Sequence, residues 1–485
     1  MSNFFIPDYV TINGGKSIDA RVKISGAKNE VLGVMAAALL TDQPFELHNV
    51  PYISDVLDMG HIMMALGVDI KYSPELGIMK MHAKKITSNV LPDLALKFRA
   101  SYYLWGALLA RFRVTGEFSS LVVKMPGGCG LVDTFKKDTG LGKQGRATDF
   151  HFNLLQNVFG VEINQLPSDK GMKVYEFRLP DVPPAVDKYP VYATKLMSHG
   201  ATFHWMLSTA LSQNVKFMYN ASLEYEVPHF LEILKQMGAG LRGTGSTAIV
   251  NMGKKEPGLL GGGIFDIMPD RMEAGTYALL ALALRGRIVL ENVDTGICRP
   301  WFNLIREVIG IGRAYSRRIY MDYHSIHFDF RGADIRGANI IASPVPGKET
   351  DLMQIWMAAL TTANSKSVLV DVIWPERANM PQYADMGVKM DIRTTDIENF
   401  EMTRSSITTL YPSEIRAGNT SGMDLRGTMG LIILAAIANG ESRIDNARFA
   451  FRGYPNLIRN LHAMGIDIKV SEEGTNLQPL PMLNS

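Results

Sequence analysis

Alanine- and leucine-rich apolar runs recur along this chain at long, similar intervals: VMAAALL (34–40), WGALLARF (105–112), WMLSTAL (205–211), YALLALALRG (277–286), IWMAALTTA (355–363) and LIILAAIANG (431–440). Each reads as a helix candidate. A short strand-like segment closing in Asn often follows, as in FELHNV, KFMYNA, IVLENV and SRIDNA. Next come amphipathic stretches such as DVLDMGHIMMALG (55–67) and FLEILKQMGAG (230–240), with apolar residues at helical spacing. These end on Gly67, Gly160, Gly238, Gly310, Gly387 and Gly465, separated by 93, 78, 72, 77 and 78 residues. A glycine there predicts the C-terminal stop of a helix before a short β-rich run. The pattern describes one α/β unit of two helices and several strands, used six times. Its period is too long for the common solenoids. With 485 residues, three units in each of two domains account for the length.

Composition narrows the class. Hydrophobic residues make up 46% and charged residues 20%, which describes a globular chain with ample core material. The net charge of +2 argues against the broad basic footprint of a nucleic-acid binder, so any basic site is local. Two cysteines, Cys129 and Cys298, form no disulfide framework and fit a reducing compartment. The start MSNFFIPDYV lacks signal-peptide regions, and the longest apolar runs fall short of a membrane span. A soluble cytoplasmic protein is expected.

Four places carry chemistry. In ISGAKNEVLGVMAAALL (24–40), a helix starts near Lys28-Asn29. A lysine at a helix start opposes the macrodipole; a bound anion would explain it, and so would a solvated surface charge. In KMPGGCGLVDTFKKDTGLGKQGRATDF (124–150), Pro-Gly-Gly makes a turn before Cys129, with Lys124, Lys136, Lys137, Lys143 and Arg146 nearby. Those cations would lower a thiol pKa, although a lone cysteine is more often inert. GLGKQG follows no strand and lacks a P-loop ending, so it reads as a lid and not a dinucleotide fingerprint. WPER, MDLRG and FRGYP place Arg377, Arg426 and Arg452 in short loops of related repeats, where guanidinium forks suit carboxylate and phosphate. In KETDLMQIWMAAL, Thr350-Asp351 opens a helix. That setting lowers the pKa of Asp351 and suits a permanently ionised group, whereas a good general base needs a raised one.

Together, ISGAKN, KFRAS, PGGC, RATDFH, SHGAT, MPDRMEAGT, ETDLMQ, PER, MDLR and RGY resemble the motifs of the enolpyruvyl transferases, from about residue 11 to 470. The resemblance implies an inverse α/β barrel-like fold of class α/β (α+β), with two domains each of three βαβαββ-type units. The domains would be 28–268, carrying the Cys129 lid, and 1–27 plus 269–485, because the N-terminal strand of the family joins the C-terminal domain. The implied reaction moves the enolpyruvyl group of phosphoenolpyruvate to a hydroxyl of a uridine nucleotide of UDP-N-acetylglucosamine type. Phosphate leaves by addition and elimination, with no metal or other cofactor. UMP is the alternative acceptor, as in nucleoside antibiotic pathways, and a non-catalytic nucleotide-binding paralogue is the reading from another class.

Residue by residue, the resemblance implies that Lys28, Arg146 and Arg452 hold the phosphate, and Arg377 and Arg426 the carboxylate, of phosphoenolpyruvate. Cys129 matches a loop cysteine that acts as an acid and is alkylated by fosfomycin. Asp351 matches the residue that takes the acceptor's proton, and Asp424 works with Lys28 at the methylene carbon. Asn29, Arg99, Asp149, Phe150, Ser198 and Gly200 match positions around the acceptor nucleotide. Seventeen positions separate Cys129 from Arg146, so the lid exceeds the family's usual loop by about twelve residues. RATDF and the His199 of SHGAT also depart from the family pattern, which places the change on the acceptor side.

Overall fold

The structure is a computed structural model, and it describes residues 4–97, 99–124, 149–167, 173–181, 191–194, 197–243, 247–311, 316–345, 347–396 and 404–483. They fall into two compact units: Lys28–Met268 with Pro479–Ser485, here the first unit, and Met1–Ala27 with Pro269–Gln478, the second.

Each unit repeats one device three times. An edge strand runs parallel to a second strand, which pairs antiparallel with a third, which pairs antiparallel with a fourth. In the first unit, 263–266 lies beside 45–48, then 78–82, then 69–73. Another sheet orders 191–193, 216–219, 248–251 and 241–242 in the same way. The remaining one is 120–124, 174–178 and 162–166, with a parallel Val90–Val122 bridge where the edge strand would run. In the second unit, the sheets are 19–23 with 287–291, 325–329 and 319–321; 339–342 with 367–371, 404–410 and 390–396; and 419–421 with 441–445, 9–13 and 467–470. The N-terminal segment thus supplies strands to two different sheets of the second unit, while 263–266 closes the opening sheet of the first.

A central helix precedes the strand 45–48, 120–124, 216–219, 287–291, 367–371 or 441–445 of each sheet. The first unit has Lys28–Ala37, Tyr102–Thr115 and His199–Thr209, packed on one another. The second has Arg271–Ala283, Met353–Leu360 and Leu425–Ile437, likewise mutually packed. All thirteen residues of 271–283 are buried, its apolar residues spread around the helix and its Arg271 and Glu273 held by partners. Gly430 leaves room for Tyr383 from the neighbouring helix Pro381–Asp385, since a Cβ there would meet its hydroxyl at 1.7 Å. All six apolar runs singled out in the sequence lie on these helices or their immediate ends.

The turn chemistry also follows the pattern. The six helix-ending glycines all have positive φ, from +66° at Gly160 to +104° at Gly238. Asn49, Asn220, Asn292 and Asn446 are left-handed just past the second strand of their sheets. Three donate their side-chain amide to a carbonyl near the end of the edge strand: Asn49 to Ile267 at 2.9 Å, Asn220 to Thr194 at 2.9 Å and Asn292 to Ile24 at 2.7 Å. Asparagine tolerates this backbone and supplies the bond as well.

One boundary differs from expectation. Pro479–Ser485 belongs to the first unit and not to the 269–485 stretch. Leu480 is buried against Gly60, where a Cβ would come within 2.6 Å of Leu480 Cδ1, and Tyr72 N–H donates to the Pro481 carbonyl at 2.8 Å. Hydrophobic burial of one leucine and a strand-like bond hold the tail there.

Candidate active site

Within each unit, most of the described residues picked from the sequence stand at the N-termini of the central helices or at the turns after the second strands. Helix N-termini carry free N–H groups and positive dipole ends, which suits anionic substrates.

In the second unit, Asp351 stands in the 3-10 turn Thr350–Leu352 that leads into helix 353–360. Arg377 lies in the turn Pro375–Ala378 after strand 367–371, and Arg426 in the first turn of helix 425–437. Arg377 Nη1 donates to Asp351 Oδ1 at 2.5 Å, and Arg426 Nη2 to Asp351 Oδ2 at 3.2 Å. Burial pushes the Asp351 carboxyl up, but the Arg377 and Arg426 guanidiniums outweigh it and hold the group well below the usual carboxylate range. Asp351 is therefore the permanently ionised group of the two readings, in this arrangement.

Neighbours fix the two arginines. Arg426 Nη1 donates to the Tyr454 hydroxyl at 2.9 Å, which is 3.0 Å from Thr276 Oγ1. The Arg426 guanidinium also lies over the Tyr454 ring, 5.3 Å from its centroid. Arg377 lies over Trp374 at 5.4 Å. Asp371, at the end of its strand, accepts N–H bonds from Ile373 at 2.8 Å and Trp374 at 2.7 Å, and a hydroxyl bond from Thr350 at 2.6 Å. It therefore ties the Arg377 turn to the Asp351 turn. Asp424 caps helix 425–437, accepting from Gly427 N–H at 2.6 Å, and accepts from Gln354 Nε2 at 3.3 Å. Arg452 ends the turn Ala447–Arg452 after strand 441–445, the counterpart of the Arg377 turn. Behind them, buried Arg271 pairs with buried Glu349 at 2.7 Å, linking the start of helix 271–283 to the Asp351 turn.

Glu273 lies deeper in the same helix and accepts the Ser25 N–H at 2.9 Å. Burial, then the nearby Asp270 charge, pushes its carboxyl up to about 8 from 4.5. The folded chain thus keeps a proton that the unfolded chain gives up above pH 4.5. This stability is full below that pH and falls by about 1.4 kcal/mol per pH unit up to about pH 8. Glu273→Gln keeps the acceptor and removes the titration. Urea midpoints should therefore match the wild type near pH 4.5 and exceed it increasingly toward pH 8; parallel curves would contradict this.

In the first unit, Lys28 opens helix 28–37 and pairs with buried Asp55 at 2.7 Å. Asp55 is the acid in the first turn of helix 54–65 and explains how a lysine is tolerated at a helix start. Asn29 follows Lys28 and is half-buried. Ser198 caps helix 199–209 by accepting the Ala201 N–H at 3.2 Å. A Cβ at Gly200 would stand 2.2 Å from the Tyr102 hydroxyl, so a side chain is excluded. His199 stacks on Phe203 with centroids 4.2 Å apart, and its Nδ1 is 3.5 Å from the Tyr103 hydroxyl. Tyr102 stacks on His151 at 3.6 Å, and His151 Nδ1 meets His204 Nδ1 at 2.9 Å. Burial lowers the His204 pKa to about 3, so that ring is neutral.

Arg99 lies in the turn Arg99–Ser101 before helix 102–115, and Asp149 and Phe150 begin helix 149–159. Their side chains, and Cys129 and Arg146 altogether, lie outside the described residues. Burial pushes the other thiol, Cys298, far up, so it is no nucleophile. Sequence reading missed Asp55, Tyr454, Asp371 and the Arg271–Glu349 pair; Tyr454 sat inside the quoted FRGYP without being singled out. Among the described residues, no group of three or more His, Cys, Asp or Glu could hold a metal ion, and no helix is long and apolar enough to cross a membrane.

Each unit thus sets three mutually packed helices among small mixed sheets, and in the second unit a carboxylate and two arginines meet at the helix N-termini. Residues 12–132 and 188–461 match EPSP synthase (3-phosphoshikimate 1-carboxyvinyltransferase), and the chain belongs to that family. Within it, the chain is 30% identical over 468 residues to UDP-N-acetylglucosamine 1-carboxyvinyltransferase 2 of Lactococcus lactis, covering 96% of this chain and 99% of that one. It is 28% identical to UDP-N-acetylglucosamine 1-carboxyvinyltransferase of Caulobacter vibrioides, over 95% of this chain and 97% of that one. Among solved structures, the enolpyruvyl transferase NikO from Streptomyces tendae shares the fold with a TM-score of 0.75 at 19% identity, covering 95% of this chain and 98% of NikO. EPSP synthase from Acinetobacter baumannii shares it at 0.59 and 16%, covering 96% of this chain and all of that one. The stretch 133–187, with most of the lengthened lid, falls outside the family match.

Proposed function

We infer that this chain transfers the enolpyruvyl group of phosphoenolpyruvate to a hydroxyl of UDP-N-acetylglucosamine and releases phosphate, a cytoplasmic biosynthetic step. The observation that carries it is the Arg377–Asp351–Arg426 cluster: two fixed guanidiniums grip the carboxylate of Asp351, the residue assigned to the acceptor's proton. Curated relatives covered almost end to end are named for this reaction, which supports the acceptor.

In this reading the substrate carboxylate lies on Arg377 and Arg426, and its phosphate on Lys28, Arg146 and Arg452. Protonation of the methylene carbon, a step for which the resemblance implies Lys28, Asp424 and Cys129, makes the adjacent carbon electrophilic. The acceptor oxygen bonds to that carbon as Asp351 takes its proton. The tetrahedral adduct then loses a methyl proton to the base the resemblance implies, Lys28 or Asp424, the double bond re-forms, and the carbon–oxygen bond to phosphate breaks. Arginine forks contribute by orienting the donor and balancing its charge.

The test is phosphate release from phosphoenolpyruvate with UDP-N-acetylglucosamine, UMP or shikimate 3-phosphate supplied in parallel. Release with the first alone is expected. Release with UMP or shikimate 3-phosphate alone would overturn the acceptor, and silence with all three would overturn the reaction.

A further inference from the structure

We propose that Asp351 is an internal stand-in for the donor's carboxylate: it occupies the Arg377–Arg426 fork, and phosphoenolpyruvate must displace it, which frees Asp351 to act as a base only once the donor is seated. This rests on the reading that these two arginines receive the donor.

The geometry is that of a bound carboxylate. Each Asp351 oxygen takes one guanidinium, at 2.5 Å and 3.2 Å, as the two oxygens of a small carboxylate ligand would. The arginines are the fixed partners. Arg426 is 5% exposed and held by Tyr454, and Arg377 is 13% exposed and lies over Trp374, in a turn that Asp371 holds through the Trp374 N–H. Asp351, at 24% exposed, is the most accessible member. Glu349, two residues earlier, is held by Arg271 and does not compete for the fork. Asp371 engages Thr350 and backbone N–H groups, so it does not fill the fork either.

The exchange has a chemical consequence. While both guanidiniums hold Asp351, its proton affinity is too low for it to take a proton from a hydroxyl. A donor carboxylate that takes its place neutralises the same two cations, and the released Asp351 regains the affinity a base needs. The acceptor hydroxyl is then not deprotonated before the donor is present. The displacement also taxes donor binding, because the fork is available only in the fraction of molecules with Asp351 swung away.

Calorimetric titration of the full chain with phosphoenolpyruvate, and separately with inorganic phosphate, tests this without acceptor. Asp351→Asn should bind phosphoenolpyruvate about tenfold or more tighter than wild type, with phosphate affinity changed much less. Unchanged or weaker phosphoenolpyruvate binding would overturn the proposal, and so would an equal gain for both ligands, which would report only the lost charge. Arg426→Lys separates the underlying reading: if it leaves phosphoenolpyruvate affinity intact, the fork is not the donor site at all. Should Asp351→Asn not fold, a crystal structure of the wild-type chain with phosphoenolpyruvate decides. Asp351 clear of both guanidiniums supports the exchange, and both ion pairs retained beside a bound donor overturn it.

Discussion

Arg426→Lys is expected to cut kcat/KM for phosphoenolpyruvate by between about thirtyfold and a few thousandfold. That range is what losing about 2–5 kcal/mol from a buried, hydrogen-bonded charge pair produces. Charge is conserved by the change, so the loss isolates geometry. Lysine offers one ammonium where arginine reaches the Tyr454 hydroxyl and Asp351 at once, 2.9 Å and 3.2 Å away. It also forfeits the planar contact over the Tyr454 ring. Steady-state kinetics with phosphoenolpyruvate varied, alongside a thermal melt to show that the fold is kept, checks this. A change within threefold would mean that Arg426 serves the core and not the donor.

The largest effect on stability is expected at Arg111, in the first unit. Its side chain is 1% exposed, in the middle of helix 102–115. It donates to the carbonyls of Leu39 at 3.2 Å, Thr41 at 3.1 Å, Ala83 at 2.7 Å and Lys84 at 3.2 Å. It also grips Glu117 through Nε at 2.8 Å and Nη2 at 3.1 Å. One guanidinium thus satisfies carbonyls from two stretches that the first unit brings against this helix. Arg111→Met fills similar space but strands these acceptors and a partly buried carboxylate. Removing one partner of such a pair costs about 3–5 kcal/mol. Urea unfolding followed by circular dichroism should show the first unit melting early, with amide exchange in helix 102–115 accelerated. An unchanged midpoint would show that water replaces the guanidinium without penalty.

Local signals in the chain were enough for the repeat. Apolar runs at helical spacing, a glycine after each outer helix and an asparagine after four second strands are all short-range features, and the structure uses each where the pattern placed it. Pairing between distant segments was not legible in the same way. Nothing near residues 9–13 or 19–23 says that these neighbouring strands enter separate sheets, because strand partners are chosen by contacts hundreds of residues away. The last seven residues were misplaced for the same reason: their anchor is a slot at Gly60.

The site was legible in its parts and not in its connections. Lys28, Asp351, Arg377 and Arg426 could be picked as residue types at helix starts and strand ends, and family resemblance supplied their roles and added Asp424. Which charge pairs with which depends on tertiary packing. Asp351 therefore read as an open choice between fixed anion and base until its two arginines were seen. Asp55 gave little sign of itself, since an acid in the first turn of a helix is ordinary.

The most direct test of the central claim is mass spectrometry of the nucleotide recovered after incubation with phosphoenolpyruvate and UDP-N-acetylglucosamine. The account predicts a UDP-N-acetylglucosamine heavier by one enolpyruvyl group, formed in step with released phosphate. Phosphate released while the nucleotide keeps its mass, or no product from this pair at all, would contradict it.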